Sequence, residues 1–407
     1  MSYSDRFSEL KEAFISKELK TDLGDVEVYS FPFHSKSHDI LPGKPAYYCM
    51  QHKQHFHEKE DPFYDIGSIK DDVYIKDTMV EENQNFNYHI LKPKDKEKIK
   101  KLTFLFHGFN EKTWDKYLPW GQAICEKTGS AVLFFPIAFH MQRAPKHWSD
   151  KKAMFELSRK RKAQFPNVIA SSLSNVAISM RLHSMPQRFI WSGLQTYYDV
   201  IQFIDECKSG KHELIDPDFS FDIFAYSIGG MLSQILKLTN YKNWFSESKL
   251  CLFCSGAVFN RLSPVSKFIL DSEVNVTLYS YLVEHLDSFI KKGNHLQHYM
   301  GEEHQEGKVF RTMLDYKMMR EFRESLFKNV EHQIYAIALK GDTVFPSYEV
   351  ENTLKGAARN INIIVEEIDF DYNYTHENPF PTARVDQEKV KACMDEVFEK
   401  VSDFFNR

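Results

Sequence analysis

The sequence predicts an α/β fold, with a mostly parallel central sheet covered by helices on both faces. Three observations carry that expectation. Short apolar runs without clean alternation recur along the chain, which is how strands buried on both faces read. Amphipathic stretches at helical spacing lie between these runs. Finally, the 407 residues are 43% apolar and 27% charged, with 34 Phe and 20 Tyr against 16 Gly. That composition suits a large aromatic-lined interior, and excludes disorder, collagen, a coiled coil and a turn-rich all-β chain. The length allows two or three units, but one decorated α/β domain also reaches it, and one is expected.

A first helix is expected from about residue 4 to 19, with Phe7, Leu10, Phe14 and Ile15 at helical spacing behind a Ser4 cap. From residue 21 to about 100 only short β-like runs stand out, at 26–31 and 86–91, between polar and Pro-containing stretches. Residues 1–85 are therefore read as an N-terminal extension that feeds an antiparallel edge strand, and 86–407 as the core. Apolar strands are expected at 102–106, 131–135, 221–225, 250–254 and 334–339, with a last one at 361–365. Helices are expected at 120–127, 194–207 and 231–238, and a final one through Val390, Met394, Val397, Val401 and Phe404. Strands alternating with helices imply right-handed crossovers.

Two stretches, about 150–186 and 258–328, far exceed the roughly 2–6 residues of an α/β loop. Each must carry its own structure. In the first, Ile169, Leu173, Val176, Ala177 and Met180 recur at helical spacing, and the second reads as several helices. Both leave the sheet where strands have their carboxyl ends, the side on which ligand sites of open α/β sheets form. They are read as a lid.

A formal charge of −5 gives no basic field, so nucleic acid is not an expected partner. The longest apolar run, residues 131–139 around Pro136, is far below the roughly 18 residues of a membrane span, and the N-terminus lacks a basic-then-apolar leader. Six sparse cysteines without framework spacing read as reduced core residues. A cytoplasmic protein acting on a small molecule is the expectation.

The strongest chemical motif is Ala225-Tyr226-Ser227-Ile228-Gly229, a strand that turns through a serine into a helix. A serine on such an elbow needs small residues two positions to either side, because those backbones pass close together. Ala225 stands where Gly is usual, and Gly229 keeps the second position. The helix start aims its amides at a developing oxyanion, with the Ile228 N–H placed to donate. Taken alone, the pattern also fits an ordinary strand-to-helix turn. The second motif is His107-Gly108-Phe109-Asn110-Glu111, directly after the first core strand. In an acyl-transfer site this loop would supply a second oxyanion donor, the Phe109 N–H; alone, it also fits a strand-ending turn with a structural histidine.

With both motifs in this order, residues 86–407 resemble the α/β-hydrolase superfamily, and the segment from Phe135 to Pro145 looks like the signature of one, bacterial, branch. The resemblance implies an acid after the strand beyond the main insertion, matched by Asp342 in Gly341-Asp342-Thr343-Val344. It implies a histidine after the last strand, matched by His376 in Thr375-His376-Glu377-Asn378. Ser227, Asp342 and His376 would be the catalytic residues of a serine hydrolase, with Phe109 and Ile228 as the oxyanion hole and no metal or organic cofactor. A carboxylic ester is the favoured substrate. Alternatives are a peptidase or amidase, an acyltransferase, or a non-catalytic ligand-binding protein of the same fold. Rivals for the acid are Asp369, Asp371, Asp315 and Glu321. His107, Arg143 and Tyr226 are candidate substrate contacts, Arg143 because a guanidinium after a strand end can hold a carboxylate or phosphate.

Other clusters receive plainer readings. His52, His55 and His57 are taken as loop histidines, and His295, His298 and His304 with Glu302 and Glu303 as a polar lid face, since no His-Glu-x-x-His pattern occurs. Cys251 and Cys254 are read as core, and Arg159-Lys160-Arg161-Lys162 as an exposed helix face.

Overall fold

The computed structural model describes residues 1–14, 18–41, 46–57, 76–292 and 294–407. Among them are eleven strands: β1 (Lys20–Leu23), β2 (Val26–His34), β3 (Ala46–Cys49), β4 (Gln54–His57), β5 (Asn85–Pro93), β6 (Ile99–Phe106), β7 (Ala131–Phe134), β8 (Ile215–Tyr226), β9 (Leu250–Phe253), β10 (Ile334–Leu339) and β11 (Ile364–Ile368). Nine form one sheet in the order β1-β2-β5-β7-β6-β8-β9-β10-β11, and β3 with β4 makes a separate hairpin. From β7 to β11 all neighbours run parallel, while β1, β2 and β5 add an antiparallel end.

Alternation along the strands divides the interior into two cores, one on each face of the sheet. Phe104, Phe106, Ile223 and Ala225 face the helices Arg188–Lys208 and Ile228–Thr239. Leu105, Phe224 and Tyr226 face Tyr117–Thr128 and Gln387–Asn406, where Trp120 and Phe398 pack between helix and sheet. Each fully buried Phe or Leu contributes about 1.5–3 kcal/mol by leaving water, so runs apolar on both faces specify interior strands.

Some boundaries differ from expectation. The first helix spans Tyr3–Ala13, is capped by Ser2 and not Ser4, and ends at an extended Phe14 so that the chain can reach β1; Ile15 lies outside the described residues. The last strand begins at Ile364: Ile361 and Ile363 are buried ahead of it, and their alternation is packing without strand pairing. Ile169 and Leu173 are exposed and precede the helix Val176–Ser184, so only the later part of that periodic stretch is helical. The first insertion also carries Lys151–Gln164, held at its start by Asp150, whose carboxylate accepts from the Lys152 and Ala153 amides. Arg161 is not exposed. It is buried against Asp271, with Nε–Oδ2 at 2.5 Å and Nη2–Oδ1 at 2.8 Å, and ties the first insertion to the second. All six cysteines are free, and Cys251 and Cys254 are buried. Among the described residues no helix is long and apolar enough to cross a membrane.

Candidate active site

β8 ends at Tyr226 and the next helix begins at Ile228, leaving Ser227 alone at the bend with φ 56° and ψ −127°. A residue with a side chain adopts that conformation only when its surroundings impose it. Three bonds do so. The Ser227 N–H donates to Phe253 O at 3.3 Å, and the Ser227 carbonyl accepts from the Gly230 N–H at 2.9 Å and from Ser255 Oγ at 2.6 Å. The small residue that follows has a steric reason: a Cβ on Gly229 would lie 2.7 Å from Phe106 O and 2.8 Å from His107 O. Ala225 is fully buried in β8 at the position where the elbow pattern usually has Gly.

Two loops bring the remaining groups to this bend. His376 Nε2 lies 2.8 Å from Ser227 Oγ, and His376 Nδ1 lies 2.8 Å from Asp342 Oδ2. Asp342 follows β10, and its Oδ1 accepts from the Val344 and Phe345 amides at 2.8 and 2.9 Å, which fixes the carboxylate plane. All three side chains are nearly sealed, at 3%, 3% and 4% exposure for Ser227, His376 and Asp342. With Asp342 accepting at Nδ1, the hydrogen is assigned there and Nε2 keeps its lone pair for the serine hydroxyl. The imidazole is sandwiched between the rings of Tyr226 and Phe345, with centroids 5.3 and 5.4 Å away. Cys254 lies beside Asp342, and burial together with that carboxylate pushes its thiol pKa well up, so it stays protonated. Of the rival acids, Asp369 and Asp371 pair with Lys340 and Lys389 at the surface.

β6 delivers His107, Gly108 and Phe109 to the same end of the sheet. A Cβ on Gly108 would sit 2.9 Å from the Tyr226 ring, so the loop approaches the elbow only as glycine. Ile228 is the first residue of its helix, where the amide has no intrahelical acceptor.

The three residues expected to touch substrate have other partners. His107 is fully buried, its Nδ1 bonded to Gly108 O at 2.8 Å and its Nε2 accepting from the Ile137 N–H at 2.9 Å. Burial, aided by His140, holds its pKa well below the ordinary value, so the ring is a neutral brace between two loops. Tyr226 is also buried and donates its hydroxyl to the His376 carbonyl. Arg143 lies in the core: Nη2 reaches Asp199 Oδ2 at 2.7 Å and Asn83 O at 3.1 Å, Nη1 reaches Pro136 O at 3.0 Å, and Nε reaches Asn83 Oδ1 at 3.1 Å. A buried guanidinium with this set of acceptors anchors the loop after β7 and has no donor aimed at a ligand. Its position after a strand end was visible in the sequence, but its partners Asn83 and Asp199 were not.

Two openings lie beside these three side chains. A narrow apolar cavity of about 60 Å³ is lined by Phe109, Phe139, Ile178, Met231 and Phe310, with Ile228 beside Ser227. An open cleft of about 650 Å³ is lined by Trp148, Leu173 and Phe268 together with Glu111, Lys112, Lys116 and the neighbours of His376, Thr375 and Glu377; Phe109 borders both. Burial lowers the Lys112 pKa to about 8. The apolar cavity has one cationic wall that sequence reading missed. Arg181 lies 3.7 Å from the Phe139 ring centroid and donates to Asp77 Oδ2 at 3.1 Å, an oxygen that also takes Arg188 Nε at 3.1 Å. Burial, partly offset by Asp77, lowers the Arg181 pKa to about 10. Away from this site, His52, His298 and His304 converge with Cys49.

A family model described as "Family of unknown function (DUF6051)" matches residues 1–406. No curated protein sequence matches the chain. Among solved structures, carboxyl esterase 2 from the mycorrhizal fungus Tuber melanosporum shares 11% identity over 79% of this chain and 82% of its own, with a TM-score of 0.40. A thermostable esterase from Pseudomonas putida shares 12% over 100% and 91%, TM-score 0.40, and a hyperthermophilic esterase from the archaeon Pyrobaculum calidifontis 11% over 79% and 80%, TM-score 0.38. At these scores the likeness carries no inference about chemistry.

Proposed function

The chain belongs to the DUF6051 family, and we propose that it is a serine hydrolase of the α/β-hydrolase fold that acts through an acyl-enzyme, with a carboxylic ester as the favoured substrate. The observation that carries the reading is the pair of 2.8 Å contacts linking Ser227, His376 and Asp342 at a strained strand-to-helix bend. The strand order supports the fold: the serine follows β8 in the parallel part of the sheet, the acid follows β10, and the histidine follows β11.

In this mechanism His376 Nε2 takes the Ser227 proton as Oγ attacks the carbonyl carbon. Asp342 keeps the imidazole in the required tautomer and steadies its charge. The Ile228 and Phe109 amides hold the tetrahedral oxyanion. The imidazolium then protonates the leaving alkoxide, water enters, and the same base activates it to release the acid. An ester is favoured over an amide because its alkoxide asks least of the protonation step. The acyl part occupies the cavity beyond Ile228, whose small volume favours short chains, and the alcohol part leaves through the open cleft. Residues 150–186 and 258–328 act as the lid, contributing Ile178, Arg181 and Phe310 as walls.

The test is intact-mass detection of a fluorophosphonate adduct on wild type, Ser227→Ala and His376→Ala, with hydrolysis of p-nitrophenyl acetate measured in parallel. Adduct and turnover in wild type alone are expected. A wild-type protein that neither labels nor hydrolyses would sink the reading in favour of a binding role.

A further inference from the structure

From Cys49, His52, His298 and His304 we infer that this protein carries a structural zinc site. Cys49 ends β3, and His52 sits in the turn before β4. His298 lies on the helix Asn294–Met300, and His304 immediately precedes Gln305–Thr312. Two segments some 250 residues apart in sequence thus aim four soft or borderline donors at one point, all within 4.8 Å of one another.

Four of the six donor-to-donor distances fit a metal, and the other two lie within 4.8 Å. Zinc bound tetrahedrally by nitrogen at about 2.0–2.1 Å and sulfur at about 2.3 Å requires edges of about 3.3 Å between nitrogens and about 3.6 Å between nitrogen and sulfur. Here Cys49 Sγ lies 3.6 Å from His52 Nδ1 and 3.4 Å from His304 Nε2. His298 Nε2 lies 3.3 Å from His52 Nδ1 and 3.1 Å from His304 Nε2.

The outer partners point the same way. His304 Nδ1 is hydrogen-bonded to Glu306 Oε1 at 2.7 Å, and His298 Nδ1 lies 2.5 Å from Glu303 Oε2 without hydrogen-bond alignment. The Glu306 carboxylate draws the His304 ring hydrogen to Nδ1 and leaves Nε2 as a bare lone pair, the carboxylate–histidine arrangement that orients metal-ligating imidazoles. His304 Nε2 faces His298 Nε2 at 3.1 Å. One thiolate and three imidazoles select zinc over the hard cations. Cys49, His298 and His304 are buried, so the four protein ligands close the site, as in structural and not catalytic centres.

The ion would hold the hairpin to the helices of the second insertion. A lone two-stranded hairpin is marginal in water, and this one is otherwise fastened by Tyr47 stacked on His295 at 3.8 Å and Phe56 against His298 at 4.4 Å. The site stands without the hydrolase reading.

The test uses full-length, tag-free protein dialysed against zinc and analysed by mass spectrometry of the metal, then reloaded with cobalt(II). About one zinc per chain is expected, and the cobalt form should show tetrahedral visible bands with a thiolate charge-transfer band. Cys49→Ala should lose the charge-transfer band, and Cys49→Ala and His304→Ala should each lose stoichiometric zinc, while His55→Ala keeps it. Should those variants fail to fold, the wild-type cobalt spectrum decides. A wild-type protein that retains less than about a tenth of an equivalent, an octahedral cobalt spectrum, or unchanged zinc in folded Cys49→Ala and His304→Ala would overturn the inference.

Discussion

The Tyr226 hydroxyl donates to the backbone carbonyl of His376, and the two rings stack with 14° between their planes. The residue before the elbow serine therefore holds the histidine that faces that serine, coupling the strand end to the loop after β11.

Tyr226→Phe keeps the stack and removes the hydrogen bond. A net bond of this kind contributes about 0.5–1.5 kcal/mol, so labelling by a fluorophosphonate should slow by about tenfold or less. A loss as large as that of His376→Ala would mean that the hydroxyl itself takes part in the chemistry.

Ser227→Ala should lower kcat on the order of 10⁶-fold, and Asp342→Asn on the order of 10⁴-fold through the wrong imidazole tautomer. Both should retain the wild-type circular dichroism spectrum. Steady-state hydrolysis of an activated ester checks both, and a fully active Asp342→Asn would move the acid to another residue.

Gly229→Ala places a methyl 2.7 Å from Phe106 O. The strain belongs to backbone that cannot swing away, and overpacking of this kind costs about 1–3 kcal/mol. A lowered Tm is expected, whereas Ala225→Gly, which removes bulk from the same bend, should fold and label normally.

Arg143→Met leaves the buried Asp199 carboxylate without its cation. Breaking such a pair costs about 3–5 kcal/mol, so the urea midpoint should fall sharply while KM of the remaining folded protein stays near wild type. A raised KM with unchanged stability would instead restore Arg143 as a substrate contact.

Phe310→Ala enlarges the apolar cavity on the wall it shares with Gly193, where a Cβ would lie 2.6 Å from the Phe310 ring. The preferred acyl chain in a p-nitrophenyl ester series should lengthen. No change in preference would place the acyl group elsewhere.

What the sequence determined by itself is what short-range chemistry controls. Runs buried on both faces, such as residues 102–106 and 334–339, could only be interior strands, because an apolar residue on either face must find a covered partner. The small residues around Ser227 and the glycine of the 107–109 loop were legible because backbone crowding at a tight bend is local. Asp342 and His376 were legible only as positions in an order along the chain. The tertiary structure decided everything that depends on residues meeting from distant segments. It turned Arg143 from an apparent ligand donor into the partner of Asp199, buried Arg161 against Asp271, and set Arg181 in a cavity wall. It also brought Cys49 and His52 against His298 and His304. In the sequence these are two separate, weakly patterned groups, and nothing local in either records the other. A side chain's charge, partners and accessibility are set by the surface it is packed against, and only the folded chain supplies that surface.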